Sequence, residues 1–90
     1  MIARQVFYEG RVQGVGFRYT ARNIAKGYDV CGWVRNLPDG RVELQAAGEP
    51  GEVRDFLIAI RESELAGNIR NVEEHDISPP IGVKGFDIRL

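Results

Sequence analysis

Residues 3–26, ARQVFYEGRVQGVGFRYTARNIAK, hold the pattern that decides the fold. The stretch begins with residues that favour strands, which predicts a strand over residues 3–10. Three glycines then fall within residues 10–16, a density that predicts a loop with unusual φ angles or a close backbone approach. From Phe17 onward, apolar residues recur at i, i+4, i+7 and i+8, which predicts a helix over residues 17–26. A strand, a glycine-rich loop and a helix therefore follow one another.

A predicted hairpin follows this helix. Residues 29–36 read as a strand, and residues 37–40, Leu-Pro-Asp-Gly, as a turn, because proline presets φ and glycine accepts positive φ. Residues 41–47 alternate as the return strand. Its inward residues are Val42, Leu44 and Ala46, and its outward residues are Arg41, Glu43 and Gln45.

A second helix and two more strands complete the pattern. Apolar residues at i, i+3, i+4 and i+7 mark the helix, and they are Val53, Phe56, Leu57 and Ile60. Residues 69–77 could form a fourth strand, and after Ser78-Pro79-Pro80 the alternation of Phe86, Ile88 and Leu90 predicts a short last strand. The order β-α-β-β-α-β plus a short strand predicts an α+β, ferredoxin-like two-layer sandwich, with a mainly antiparallel sheet and two helices on one face.

The length and charge of the chain limit its size and partners. Its 90 residues predict a single domain over residues 1–90. Lys and Arg number 12 and Asp and Glu 13, a net charge of −1, which argues against binding nucleic acid by neutralising phosphates. A local basic site remains open. The oligomeric state cannot be predicted.

The lone cysteine, Cys31, excludes an intrachain disulfide, and no Cys/His cluster has metal-ligand spacing. An unpaired cysteine makes the reducing cytoplasm the default compartment. No apolar run approaches the ~20 residues of a membrane span, so no membrane association is expected.

Topology brings the glycine-rich loop toward a distant asparagine. A right-handed βαβ crossover makes the first two strands parallel, so the loop over 10–16, the helix start at Arg18, and Asn36 should share one sheet edge. Free N–H groups at a helix start suit an anion, and hydrogen bonds to a charged group (about 1.5–3 kcal/mol each) outweigh the helix dipole (about 0.3–1 kcal/mol). The natural guest is a phosphoryl group, although an unliganded turn and a surface arginine remain open from these residues alone. No Walker A or Gly-x-Gly-x-x-Gly pattern is present.

Two separated motifs resemble the acylphosphatase family. The first is Gly10-Arg11-Val12-Gln13-Gly14-Val15-Gly16-Phe17-Arg18. The second is Gly32-Trp33-Val34-Arg35-Asn36 with Gly40, Val42 and Gly48, and the tail Gly85-Phe86-Asp87-Ile88-Arg89 is also similar. The resemblance covers the length of the chain.

The resemblance implies hydrolysis of the carboxyl–phosphate bond of acyl phosphates to a carboxylate and inorganic phosphate, without metal or cofactor. It implies that Arg18 binds the phosphate and that Asn36 positions the water. It also implies a backbone cradle for the phosphoryl group, formed by Gly10, Arg11, Val12, Gln13, Gly14 and Val15. The implied ligands are a small acyl phosphate and, as product-like anions, inorganic phosphate or sulfate.

Two other functions share this pattern. An RNA-recognition module has the same element order, but the aromatic motif that it presents on its sheet is missing here. A sensor of small anions would use the same loop without turnover, and a kinetic assay separates it from an enzyme.

Overall fold

Five strands and two helices alternate along the chain in the computed structural model, which describes residues 1–79 and 82–90. The elements are β1 (Ile2–Gly10), α1 (Phe17–Ala25), β2 (Val30–Asn36), β3 (Val42–Gly48), α2 (Pro50–Arg61), a 3₁₀ turn (Ala66–Asn68), β4 (Ile69–Ile77) and β5 (Phe86–Arg89). The predicted α+β fold is confirmed.

The strands form one sheet in the order β4-β1-β3-β2-β5. β3 pairs antiparallel with both β1 and β2, so β1 and β2 run parallel to each other with β3 between them. β4 pairs antiparallel with β1, and β5 pairs parallel with β2. The carboxyl ends of β1 and β2 therefore lie at the same sheet edge, as the crossover rule predicts.

Both helices pack on one face of the sheet. α1 buries Phe17, Ala21 and Ala25, and α2 buries the four apolar residues that the sequence pattern marks. Val42, Leu44 and Ala46 of β3 are buried on the same face. Burying one large apolar side chain contributes about 1.5–3 kcal/mol relative to leaving it exposed, so this layer holds the helices on the sheet.

Two details at the ends of strands differ from the sequence pattern. The last strand ends at Arg89, where its pairing with β2 stops at the Arg35–Arg89 pair, and Leu90 is fully exposed. Glu43 faces away from the helices, as predicted, but it is 4% exposed.

Of the predicted break between the last two strands, Ser78-Pro79-Pro80, the residue Pro80 lies outside the described residues. Over the described ranges, no helix has the length and hydropathy needed to cross a membrane.

Candidate active site

A single glutamine side chain joins the glycine-rich loop to the β2–β3 turn. Gln13 Nε2 donates to the carbonyl oxygens of Leu37 at 2.8 Å and Arg41 at 2.9 Å. Nε2 carries two hydrogens, so both bonds can form together. These contacts span 24 and 28 residues and fix the loop against the end of β2.

The turn is itself held by Asp39. Its carboxylate accepts from the Arg41 backbone N–H at 3.0 Å and from Arg41 Nε at 2.9 Å. These hydrogen bonds, the backbone one first, lower the pKa of the Asp39 carboxyl below its ordinary value. Leu37 N–H also donates to Arg41 O at 2.8 Å. The loop is therefore docked on a closed, hydrogen-bonded turn.

The start of the loop leaves no room for a side chain. A Cβ atom on Gly10 would lie 2.3 Å from Asn68 O and 2.8 Å from Arg70 N, and the φ angle of Gly10 is +128°. Arg11 N–H donates to Asn68 O at 2.9 Å, and Asn68 Nδ2 donates back to Arg11 O at 3.1 Å. Gly10 and Arg11 thus anchor the loop to the start of β4.

The rest of the loop carries free donors. The backbone N–H groups of residues 12–16 donate to no acceptor within the described part of the chain. Gly16, with φ +78°, precedes α1, and no side chain of residues 1–79 or 82–90 caps the first turn of that helix. The N–H groups of a first helical turn have no partner within the helix. A row of unpaired donors therefore runs from the loop into α1.

The loop, the start of α1 and Asn36 lie on the same side of the sheet. Val42 pairs directly with Tyr8 of β1 and with Asn36 of β2, and directly paired residues share a face. Phe17 packs on Tyr8 with ring centroids 4.8 Å apart, which holds the start of α1 over this row. Two strand spacings, about 10 Å, separate the backbones of Tyr8 and Asn36.

Arg18 and Asn36 are both half-buried and both unengaged. Arg18 is the second residue of α1, and Asn36 is the last residue of β2. Neither side chain makes a hydrogen bond, and Arg18 makes no ion pair, to any residue in the ranges 1–79 and 82–90. A guanidinium and a carboxamide are thus available at the edge that carries the free N–H groups.

The one acidic residue that directly precedes the loop faces the other way. Glu9 pairs with Asn71 of β4, and Asn71 Nδ2 donates to Glu9 Oε2 at 3.3 Å. Because Tyr8 and Glu9 are consecutive in β1, their side chains point to opposite faces. The Glu9 carboxylate is therefore separated by the sheet from the face that carries Phe17 and Asn36.

Tyr8 lies beneath the start of α1 and is fully buried. Its hydroxyl has no hydrogen-bond partner among the described residues. Burial, and next the charge of Glu74, raise the pKa of the Tyr8 hydroxyl above its ordinary value. Tyr8 is therefore a neutral packing group that supports the site from below.

The acylphosphatase family model matches residues 4–88, which is nearly the whole chain. The chain belongs to the acylphosphatase family. The activity that goes with this family is the hydrolysis of acyl phosphates, and this chain is an enzyme of that class.

Individual relatives agree with this assignment. The chain is 44% identical over 73 residues to an acylphosphatase of Archaeoglobus fulgidus, covering 81% of this chain and 82% of that protein. It is 39% identical over 85 residues to an acylphosphatase of Koribacter versatilis, covering 94% and 77%. The crystal structure of acylphosphatase from Bacillus subtilis superposes with a TM-score of 0.90 at 31% identity, over 100% of both chains. The fold is therefore that of a solved acylphosphatase.

Two contacts of the candidate site could not be predicted from the sequence. Gln13 is predicted as a backbone contributor, whereas its side chain joins the loop to the turn. Asn68 is not predicted at all, although it holds Arg11. Gln13 is the one long polar residue within residues 12–17, which could have drawn attention to its side chain. Its acceptors, however, are backbone carbonyls, and these carry no sequence signal.

Proposed function

We propose that Arg18 and the free N–H groups of the glycine-rich loop bind the phosphoryl group of an acyl phosphate, and that Asn36 positions the attacking water. The observation that carries this proposal is a row of N–H groups, beside the Arg18 guanidinium, that have no partner among the described residues, at the edge where β2 ends in Asn36. Because Arg11 N–H is bonded to Asn68, the proposed donors are the amides from Val12 onward, with Gly10 and Arg11 as the anchor.

The leaving group makes this small set of residues sufficient. Cleavage of the bond between the carboxyl oxygen and phosphorus releases a carboxylate, a stable anion that needs no strong general acid. Positioning and charge stabilisation then carry most of the catalysis, as is usual in phosphoryl transfer. Arg18 and the amides would stabilise the charge on the non-bridging oxygens in the transition state.

Asn36 suits the task of holding water. A carboxamide has an acceptor oxygen and two N–H donors, so it can bind and orient a water molecule. As a neutral group it does not add charge beside the phosphoryl group. In this proposal an oxygen of the phosphoryl group takes the proton of the attacking water, so no separate base is required.

The proposed reaction needs no metal. A guanidinium and several amides supply the positive field that a metal ion supplies in other phosphoryl-transfer enzymes. Inorganic phosphate is the expected competitor, because it is a product and has the same tetrahedral oxygens. The proposed compartment is the cytoplasm, because Cys31 has no cysteine partner in the sequence.

The test is steady-state hydrolysis of benzoyl phosphate in the presence of a chelator. We expect turnover undiminished by the chelator and competitive inhibition by inorganic phosphate. Arg18→Ala removes up to two charged hydrogen bonds of about 1.5–3 kcal/mol each, so kcat/KM should fall about 10²–10⁴-fold. Asn36→Ala should lower kcat about 10²-fold and leave KM nearly unchanged.

Arg22→Ala is the matched control for Arg18→Ala. Arg22 lies one turn further along α1, and its guanidinium stacks on the Tyr19 ring at 5.3 Å. Its kinetics should match those of the wild type. Loss of activity on chelation would contradict the metal-free mechanism, and an Asn36→Ala variant with unchanged kcat would contradict the assignment of the water.

A further inference from the structure

We infer that Glu43, acting through Arg35, is a positioning residue that fixes the direction of the Asn36 side chain. The inference rests on the proposed role of Asn36 and extends it to the opposite face of the sheet. Neither Glu43 nor Arg35 lies on the side of the sheet that carries the loop, because Arg35 and Asn36 are consecutive in β2 and point to opposite faces.

Glu43 is a buried carboxylate on the face of the sheet opposite the two helices. It is 4% exposed and is the one buried charged residue in the described part of the chain. Its Oε1 accepts from Arg35 Nε at 2.8 Å and lies 2.8 Å from Arg35 Nη2. Its Oε2 accepts from Gln5 Nε2 at 2.7 Å. A charge removed from water is tolerated only when it is paired in this way, so the geometry of Glu43 is tightly constrained.

Arg35 is held from a second direction by an aromatic ring. Its guanidinium lies 5.2 Å from the centroid of Trp33, and Arg89 of β5 lies 4.8 Å from the same ring. Trp33 is 5% exposed. The ion pair and the stacked ring leave Arg35 little freedom, although its side chain is 44% exposed.

The contacts of Arg35 with Glu43 and Trp33, called the clamp below, act on the residue next to Asn36. Arg35 pairs with Glu43 across β2 and β3, and Asn36 pairs with Val42 one step further toward the turn. Asn36 ends β2, and its own side chain makes no hydrogen bond to the described residues. The direction of the carboxamide therefore depends on its backbone, and the clamp on Arg35 holds that backbone.

The energetic context separates this pair from the other ion pairs. Arg4–Asp76 and Arg41–Asp39 have carboxylates that are 83% and 54% exposed, so solvent screens them. The Arg35–Glu43 pair combines a buried carboxylate with two donors from one guanidinium. Of the ion pairs in residues 1–79 and 82–90, it is the one whose carboxylate is buried, so its geometry is the most constrained.

Glu43→Gln tests the inference, because it keeps the side-chain volume and removes the charge. We expect kcat for benzoyl phosphate to fall on the order of tenfold, since small displacements of a positioning group slow the reaction. KM and the inhibition constant of inorganic phosphate should stay within about twofold of wild type, because the loop and Arg18 are unchanged.

A double-mutant cycle separates positioning from general destabilisation. If Glu43 acts through Asn36, then Glu43→Gln should lower kcat in the wild type and have no further effect in Asn36→Ala. Val53→Ala is the stability control, because Val53 is buried near the start of α2, which follows the end of β3 at Gly48, whereas Glu43 lies near the start of β3. Assayed well below its Tm, Val53→Ala should keep wild-type kcat.

The outcomes are distinguishable. Inactive wild type, or unchanged kcat in Asn36→Ala, would refute the proposed function itself. An active wild type in which Glu43→Gln keeps kcat, or lowers it equally in the wild type and in Asn36→Ala, would overturn the positioning role alone. If Glu43→Gln is unfolded at the assay temperature, Arg35→Lys replaces it. That variant keeps the ion pair but loses the planar two-donor contact, so kcat should fall severalfold with an unchanged phosphate inhibition constant.

Discussion

Replacing Gln13 with methionine would cut the connection between the glycine-rich loop and the turn. Methionine has nearly the same length and volume, so packing changes little, but both hydrogen bonds to Leu37 O and Arg41 O are lost. Each neutral hydrogen bond contributes about 0.5–1.5 kcal/mol net. The perturbation therefore isolates the two bonds themselves.

The structure indicates that the loss of stability lies in the lower part of the range obtained by adding the contributions of the two hydrogen bonds. Leu37 O also accepts from Gly40 N–H at 3.1 Å, and Arg41 O also accepts from Leu37 N–H at 2.8 Å. Neither carbonyl is left without a partner, so no further penalty for a buried unsatisfied acceptor arises. We expect the free energy of unfolding to fall by about 1–2 kcal/mol, which corresponds to a decrease in Tm of about 4–16 °C.

The assay is urea denaturation of wild type and Gln13→Met, with inhibition by inorganic phosphate measured in parallel. A loop freed from the turn should hold its N–H groups less well arranged, so the inhibition constant of phosphate should rise severalfold. Gln45→Met is the matched control. Gln45 is also half-buried, and its side chain makes no hydrogen bond to the described residues, so its stability should change by less than about 0.5 kcal/mol. Equal losses in the two variants, or a Gln13→Met variant as stable as wild type, would refute the reasoning.

Two further perturbations test the backbone and the buried tyrosine. Gly10→Ala should destabilise the chain by more than about 3 kcal/mol in chemical denaturation, because its Cβ would clash with Asn68 O and Arg70 N. Gly14 has a φ angle of +76° but open space around it, so Gly14→Ala should lower the free energy of unfolding by only about 1–2 kcal/mol. Equal losses of stability in the two variants would contradict the steric argument. Tyr8→Phe should leave stability at pH 7 unchanged or slightly higher, because the hydroxyl has no partner in the described part of the chain. Burial, and next the charge of Glu74, raise the pKa of Tyr8 in the folded chain above 10.0. Above pH 10 the tyrosine of the unfolded chain therefore loses its proton before that of the folded chain. The contribution of Tyr8 to wild-type stability should then fall by about 1.4 kcal/mol per pH unit. Tyr8→Phe should lack that part of the alkaline loss in denaturation curves recorded on either side of pH 10, and an identical pH dependence in both proteins would show that Tyr8 is not the titrating group.

The inferred clamp gives the two faces of the sheet different tasks. The face toward α1 carries Phe17 and the residues proposed to touch substrate, whereas the opposite face carries charged and aromatic side chains that contact one another. Because Arg35 and Asn36 are neighbours in β2, a rigid contact on one face limits the movement of a side chain on the other. In this view, a sheet face without helices still contributes to catalysis.

The sequence alone determined the elements and the sheet edge at which the proposed site lies. Glycine density and apolar periodicity are local rules, and the handedness of a βαβ crossover is a topological one. Together they place residues 10–16 near Asn36 from the sequence. Only the tertiary structure decided which groups are free and which are engaged. Arg11 N–H donates to Asn68, Gln13 donates to two carbonyls, and Glu43 is buried on the sheet face opposite the helices. These contacts join residues 8 to 57 positions apart in the chain. Some of their partners are backbone atoms, which every residue type has, and the direction of each side chain depends on the tertiary fold. No sequence pattern therefore marks these contacts.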